Sequence, residues 1–182
     1  MEKPAEKPKS YCEYVNTLPL DNVHRVYHDT QYGFSIDSDN ELFGRLILEI
    51  NQAGLSWTTI LNKQENFRVA YSNFDITTIA NYTQKDIDRL LANPGIIRNK
   101  LKINAAIFNA QKIVELQSEY GSFKAWLNYH HPLTKENWVK LFKKTFKFTG
   151  GEITNEFLMS SGYLKGAHIA SCAISKELER LK

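Results

Sequence analysis

Apolar residues recur at helical spacing through most of the chain, and no segment alternates cleanly enough to predict a strand. The first clear helix begins at Ser38, which stands three residues before Glu41 in capping-box spacing. Leu42, Phe43, Leu46, Ile47 and Ile50 then share one broad face, with Glu49 at its flank beside Leu42 and Leu46. After Trp57, the positions of Ile60, Leu61, Phe67, Val69 and Ala70 predict one longer helix. Thr83 caps another with Asp86 three residues on, and Ile87, Leu90 and Leu91 form its apolar face. That helix must stop at ANPG (93 and its neighbours), because Pro94 restricts Asn93 and Gly95 frees the turn. Helical pattern resumes over 96–116 and ends near Gly121; further helices are expected over 123–128 and 135–144. A last one runs over 156–181, interrupted around Gly162 to Gly166. Residues 146–150 (FKFTG) are a candidate short extended piece. Residues 11–33, rich in aromatics and turn formers, read as a lead segment lying over the body. The expected fold is all-α.

The totals narrow this picture without changing it. A chain of 182 residues suits one domain, or two small lobes sharing a core. Hydrophobic residues make up 42% and aromatics 12%, enough for a packed interior and against wholesale disorder. The formal charge of +3 permits nucleic-acid binding without demanding it. No apolar run approaches the ~20 residues of a membrane span and no signal-peptide core follows the start, so a cytoplasmic protein with no membrane role is expected. Two cysteines far apart fit a reducing compartment better than a disulfide framework. Residues 1–9, charged and proline-bearing, read as a loose tail before a single domain over 10–182.

Three features carry candidate chemistry. In LEINQAGLSW (48–57) a carboxylate is followed at once by an Asn-Gln pair, a Gly-Leu turn and a tryptophan. From its own helix Glu49 is either the solvent edge of the stripe, as charged residues usually are, or a carboxylate facing a cleft between helices. In LLANPGIIRNKLK (90–102) a Pro-Gly turn joins two helices, the second with a basic first turn. Backbone N–H groups there, with Arg98, Lys100 and Lys102, form either a phosphate grip or an ordinary turn carrying solvated lysines. Finally Cys12 and His28 lie near the start, and His168 and Cys172 near the end, the latter pair four apart as on one helical face. Together they would make a closed Cys2His2 zinc site; a free buried cysteine or a Cys12–Cys172 disulfide are the alternatives.

Read together, YHDTQYG (27–33), QAGLSW (52–57), GIIRNKLKI (95–103), FKFTG (146–150) and HIASC (168–172) resemble the 3-methyladenine DNA glycosylase I family, zinc-containing relatives of the helix-hairpin-helix glycosylases. The resemblance spans roughly residues 11–172 with its motifs in family order. It implies a monofunctional repair enzyme that flips 3-methyladenine out of alkylated double-stranded DNA and hydrolyses its N-glycosidic bond, needing no protein partner. It implies lobes over 36–115 (helix-hairpin-helix) and over 10–35 with 116–182, a structural zinc ion on Cys12, His28, His168 and Cys172, and association with the nucleoid during repair. Glu49 becomes the catalytic, base-recognising carboxylate, with Tyr14, Tyr27, Trp57 and His24 around the base. Gly54 and Leu55 become the wedge into the vacated stack, and Gly95, Ile97, Arg98 and Lys100 the contacts to DNA. No aspartate occurs after Asp88, so the assisting aspartate of many helix-hairpin-helix glycosylases is missing. An N3-alkylated adenine is already cationic and its glycosidic bond weak, so gripping the leaving base fits this residue set better than strong acid-base chemistry. Five positions depart from the family pattern: His24 replaces a pocket tyrosine, Tyr14 and Tyr32 replace tryptophans, and Asn155-Glu156 replaces a tyrosine-serine step. These bear on lesion range, and leave as the alternative a non-catalytic or differently selective damage-sensing member of the same fold.

Overall fold

A computed structural model describes residues 7–181 of the chain, so part of the expected N-terminal tail, residues 1–6, lies outside the described residues. Among the described residues the chain forms twelve α-helices, one 3-10 turn and no strand. The lead segment folds as two short helices, α1 (Tyr11–Asn16) and α2 (Val23–Thr30), each started by a side-chain cap from Ser10 and Asn22. Next comes α3 (Asp39–Gln52), whose Ser38 hydroxyl accepts from the Glu41 N–H as the capping-box spacing predicts. Every residue of α3 from Leu42 to Asn51 is buried, so it is a central helix rather than a surface one. The others are α4 (Trp57–Asn62), α5 (Gln64–Ala70), α6 (Ile76–Ala80), α7 (Gln84–Ala92), α8 (Lys100–Tyr120), α9 (Phe123–His130), α10 (Lys135–Thr145), α11 (Gly151–Ser160) and α12 (Ala173–Arg180). None is long and apolar enough to cross a membrane.

One contiguous apolar core runs from Leu42 to Leu158 and takes in residues of every helix from α3 to α11. Its polar fixings explain the docking of the later helices. Asp39, in the first turn of α3, accepts from the Phe123 and Lys124 N–H groups at 2.7 and 2.9 Å, tying α9 to the start of α3. Gly44, in the middle of α3, lets the Phe74 ring lie against the helix; a Cβ there would meet Phe74 Cδ2 at 2.4 Å. Phe74 closes the 3-10 turn Ser72–Phe74, whose three residues all have positive φ, a costly backbone held by the burial of that ring.

Several boundaries differ from the pattern. The expected single helix after Trp57 breaks at Lys63, which leaves helical geometry and sends its ammonium to the Pro94 and Gly95 carbonyls at 3.1 and 3.3 Å. Helix α8 starts only at Lys100, because Asn99 turns its side chain onto the Leu101 and Lys102 N–H groups while Ile96 drops into the core. Residues 146–150 are not extended against a partner. Asn109 instead clamps Lys147 through both its N–H and its carbonyl, at 2.8 and 3.0 Å, satisfying the backbone without a strand. The last expected helix is two, α11 and α12, separated by the irregular residues 161–172.

Candidate functional site

At the C-terminal end of α3 a cavity of about 280 Å³ opens between α1, α2, α4 and α11, lined by Tyr11, Tyr27, Tyr32, Glu49, Gln52, Trp57 and Glu156. Its walls are rings: Tyr27 meets Trp57 edge-on at 5.3 Å and lies tilted against Tyr32 at 5.6 Å, and Tyr11 meets Tyr32 edge-on at 5.6 Å. Burial pushes the Tyr11, Tyr27 and Tyr32 phenols well above their ordinary proton affinity, so they are neutral hydrogen-bonding groups.

Glu49 is only 4% exposed, which settles the choice between edge and cleft: its carboxylate faces the cavity. Burial raises its pKa to about 8; Arg45, one turn earlier on α3, opposes that rise, and the nearby Glu156 adds to it. Arg45 cannot offset the burial fully because its guanidinium is engaged elsewhere. It donates to the Tyr27 hydroxyl and the Ser160 carbonyl, both at 3.2 Å, and to Gln31 at 3.4 Å. Glu49 is therefore an acceptor kept costly until something with a donor or positive charge arrives.

The remaining base-site candidates divide. Tyr27 and Trp57 line the cavity, whereas His24 and Tyr14 stand behind Tyr11. His24 is buried, with Nδ1 3.0 Å from the Tyr11 hydroxyl and Nε2 2.8 Å from the Thr58 hydroxyl; burial lowers its pKa, so a neutral imidazole braces the Tyr11 wall against α4. Tyr14, 38% exposed, stacks beside Tyr11 with centroids 6.3 Å apart. Two liners, Tyr11 and Gln52, are not among the base-site candidates drawn from the sequence, and Tyr32 and Glu156 are flagged there only as departures. Tyr11 could have been found from its neighbour, since it precedes Cys12.

Gly54 and Leu55 form the tip of the turn leaving α3. Gly54 has φ +82 with open space around it, and Leu55 is an apolar side chain 39% exposed. The hairpin of residues 93–99 leaves Arg98 and Lys100 exposed and Ile97 half-buried. Gly95 does not hold a positive φ there; its reason is close approach, since a Cβ would lie 3.0 Å from Asn93 Oδ1, which accepts from the Gly95 N–H at 2.8 Å. Lys102 does not join the basic patch. It is buried and donates to the Asn51 and Ala53 carbonyls at 2.9 and 2.8 Å, a cation placed on the negative end of α3 just before the exposed turn.

The four cysteine and histidine candidates converge, their ligating atoms all within 4.8 Å of one another. The route differs from the expected helical face: His168 lies in the irregular segment and Cys172 is the N-cap of α12. His28 Nε2 and His168 Nδ1 face each other at 3.1 Å, Cys172 Sγ lies 3.8 and 3.7 Å from them, and Cys12 Sγ lies 3.7 Å from His168 Nδ1. These are the edges of a tetrahedron around an ion with bonds of about 2.0–2.3 Å. The proton inventory agrees. His168 Nε2 must donate to the Tyr32 carbonyl at 2.7 Å, and His28 Nδ1 points at the Asp29 carboxylate at 2.6 Å. With those protons committed, the two inward nitrogens present lone pairs to each other, an arrangement that a metal ion between them resolves and a hydrogen bond does not. The residues fit a metal, and the cysteines are not paired as a disulfide.

Residues 17–176 match the family described as methyladenine glycosylase. The chain is 31% identical over 180 residues to DNA-3-methyladenine glycosylase 1 of Escherichia coli (strain K12), covering 88% of this chain and 94% of that one. In structure it is similar to 3-methyladenine DNA glycosylase I from Staphylococcus aureus, with a TM-score of 0.77 and 32% identity over 85% of this chain and 92% of the other. It is equally similar, at a TM-score of 0.77 and 31% identity over the same 85% and 92%, to a variant of 3-methyladenine DNA glycosylase I solved in complex with 3-methyladenine.

The burial of Glu49 has a measurable sign. The folded chain keeps a proton up to about pH 8 that the unfolded chain releases near 4.5. Its contribution to stability is therefore full below pH 4.5 and is lost as pH rises through about 8. Glu49→Gln carries no such slope, so in denaturant unfolding its stability relative to the unaltered protein should rise across this window by a few kcal/mol. A difference that does not vary with pH would contradict the burial of an ionisable carboxyl at this position.

Proposed function

The chain belongs to the methyladenine glycosylase family, and from that premise we propose that it is a monofunctional base-excision enzyme removing 3-methyladenine from alkylated double-stranded DNA. The observation that carries the reading is Glu49, a buried carboxylate at the floor of an aromatic cavity, next to an exposed apolar turn. Extruding a base costs a few kcal/mol, less when the base is damaged. Leu55 at the turn tip fills the gap left in the stack, an established use of an apolar side chain, while Gly54 allows the close approach. Exposed Arg98 and Lys100, with the Gly95–Ile97 backbone, hold phosphates on the hairpin side.

In the cavity the flipped base stacks among Tyr27, Trp57 and their neighbours, and its amino group donates to Glu49. A cationic base also relieves the cost of keeping that carboxylate ionised. Water then forms the new bond to C1′ of the sugar while the C1′–N9 bond breaks, and its electron pair neutralises the departing base. The proton released by the water passes to solvent. Tyr14 and His24 act from behind, through Tyr11. We assign residues 10–182 to one glycosylase domain, with lobes over 36–115 and over 10–35 plus 116–182.

The Cys12, His28, His168 and Cys172 cluster is read as a structural zinc site. Two thiolates and two imidazoles suit zinc, and four protein ligands leave no position for an activated water. Its chemistry is to hold the two ends of the chain together.

The enzymatic reading is tested on methylated duplex DNA with the released bases identified. Free 3-methyladenine should appear well above spontaneous release, and Glu49→Gln should lower the rate at least roughly a hundredfold. Wild-type release no faster than spontaneous would end the claim, and salt-sensitive DNA binding without release would favour a damage sensor instead. For the metal, purified protein should carry about one equivalent of zinc, and Cys172→Ala should lose both metal and thermal stability. Less than about half an equivalent, together with normal folding of Cys172→Ala, would remove zinc from the account.

A further inference from the structure

The cavity holds a second carboxylate that recognition by Glu49 does not use. Glu156, on α11, lines the same cavity and is half-buried. Its Oε2 accepts from the Tyr32 hydroxyl at 3.3 Å and its Oε1 from the neighbouring Asn155 amide at 3.5 Å. These contacts aim it without neutralising it.

The charge facing this pair can be taken element by element. From α1 and α2 come only the neutral phenols of Tyr11 and Tyr27, with Tyr32 just beyond α2; from α4 comes the Trp57 indole. From α3 come Glu49, the Gln52 amide and Arg45, the last turned away onto Tyr27, Ser160 and Gln31. Burial is the largest cost to ionising Glu156; Glu152, one turn earlier on α11, adds to it, and Lys135 of α10, paired with Glu152 at 3.8 Å, eases it. None of the residues lining the cavity is a cation. Two carboxyl groups line one small space of low polarity; burial raises the cost of ionising each, and Glu156 adds to that cost at Glu49. A neutral base leaves that cost in place. A base that carries positive charge and an exocyclic amino donor offsets both carboxylates at once.

We propose that Glu156 is a second specificity-determining carboxylate of the pocket, one that with Glu49 confines it to flipped purines made cationic by N-alkylation and turns away neutral damaged bases. The proposal rests on the reading of the cavity as a base pocket. It assigns recognition to two residues from different helices, Glu49 from α3 and Glu156 from α11, so the charge of the base is sensed at more than one point of the cavity. Tyr32 is the positioning residue for Glu156 through its hydroxyl.

The test compares two small probes on the full chain, followed by the tryptophan fluorescence to which Trp57 contributes. One is 3,9-dimethyladeninium, a fixed cation with a methyl group in place of the sugar; the other is neutral 9-methyladenine. At pH 7.5 the unaltered protein should prefer the cation. Glu156→Gln keeps the side-chain size and an acceptor for Tyr32, and should lose roughly tenfold of that preference while binding the neutral probe as well or better. Glu156→Ala, checked for a normal unfolding transition, should lose the preference by a similar factor. A cation-to-neutral ratio unchanged in both variants, in a protein that still releases 3-methyladenine from methylated DNA, would overturn the role of Glu156 and leave the base pocket standing. A wild-type protein that binds neither probe and releases no base would overturn both.

Discussion

A carboxyl group held out of water at the foot of a cavity has to be supported from every side, and the arrangement around Glu49 follows from that requirement. Helix α3 carries it and is buried from Leu42 to Asn51, so the position of Glu49 is set by the core rather than by a loop. The far end of α3 is tied to α9 through Asp39. The near end is capped by the buried ammonium of Lys102, which holds the Asn51 and Ala53 carbonyls and with them the start of the exposed Gly54-Leu55 turn. A cation spent on backbone carbonyls next to a buried carboxylate, rather than on the carboxylate itself, leaves Glu49 free to meet a ligand.

The cysteine and histidine cluster serves the same end from the other wall. Tyr11 precedes Cys12, Tyr27 precedes His28, and His168 donates to the Tyr32 carbonyl. Each tyrosine of the cavity is thus one covalent step or one hydrogen bond from a residue of the cluster. The convergence of these four side chains sets three aromatic walls at once, and brings α1, α2 and the segment before α12 onto a core they barely enter. A site with no catalytic position of its own can still decide whether the pocket exists.

Much of this was legible in the chain, and the failures have physical causes. The apolar stripe of α3, its Ser38 cap, the Thr83 capping box and the stop at Pro94 are local signals, and each appears where the pattern puts it. The breaks at Lys63 and Asn99 come instead from side chains that prefer a distant or adjacent backbone group to helical continuation. Residues 146–150 look extended until Asn109, nearly forty residues earlier, satisfies their backbone. Helical period alone left Glu49 between solvent edge and cleft and gave no sign of the inward turn of Lys102, for the same reason: period gives a face, but which neighbour covers that face is a tertiary fact. Tyr11 and Glu156 join the cavity only because the chain ends are folded back upon it.

The family's motifs supply the identity of the chemistry, and the structure supplies its energetic logic: a carboxylate made expensive in the empty pocket and inexpensive in the presence of a cation. That logic is measured most directly by following the Glu49 side-chain carboxyl through a pH titration, using carbon-detected NMR on the folded protein with and without 3,9-dimethyladeninium. The account predicts a midpoint near 8 in the free protein, falling below neutrality when the cation is bound. A midpoint at the ordinary value near 4.5 in the free protein, unmoved by the cation, would contradict it.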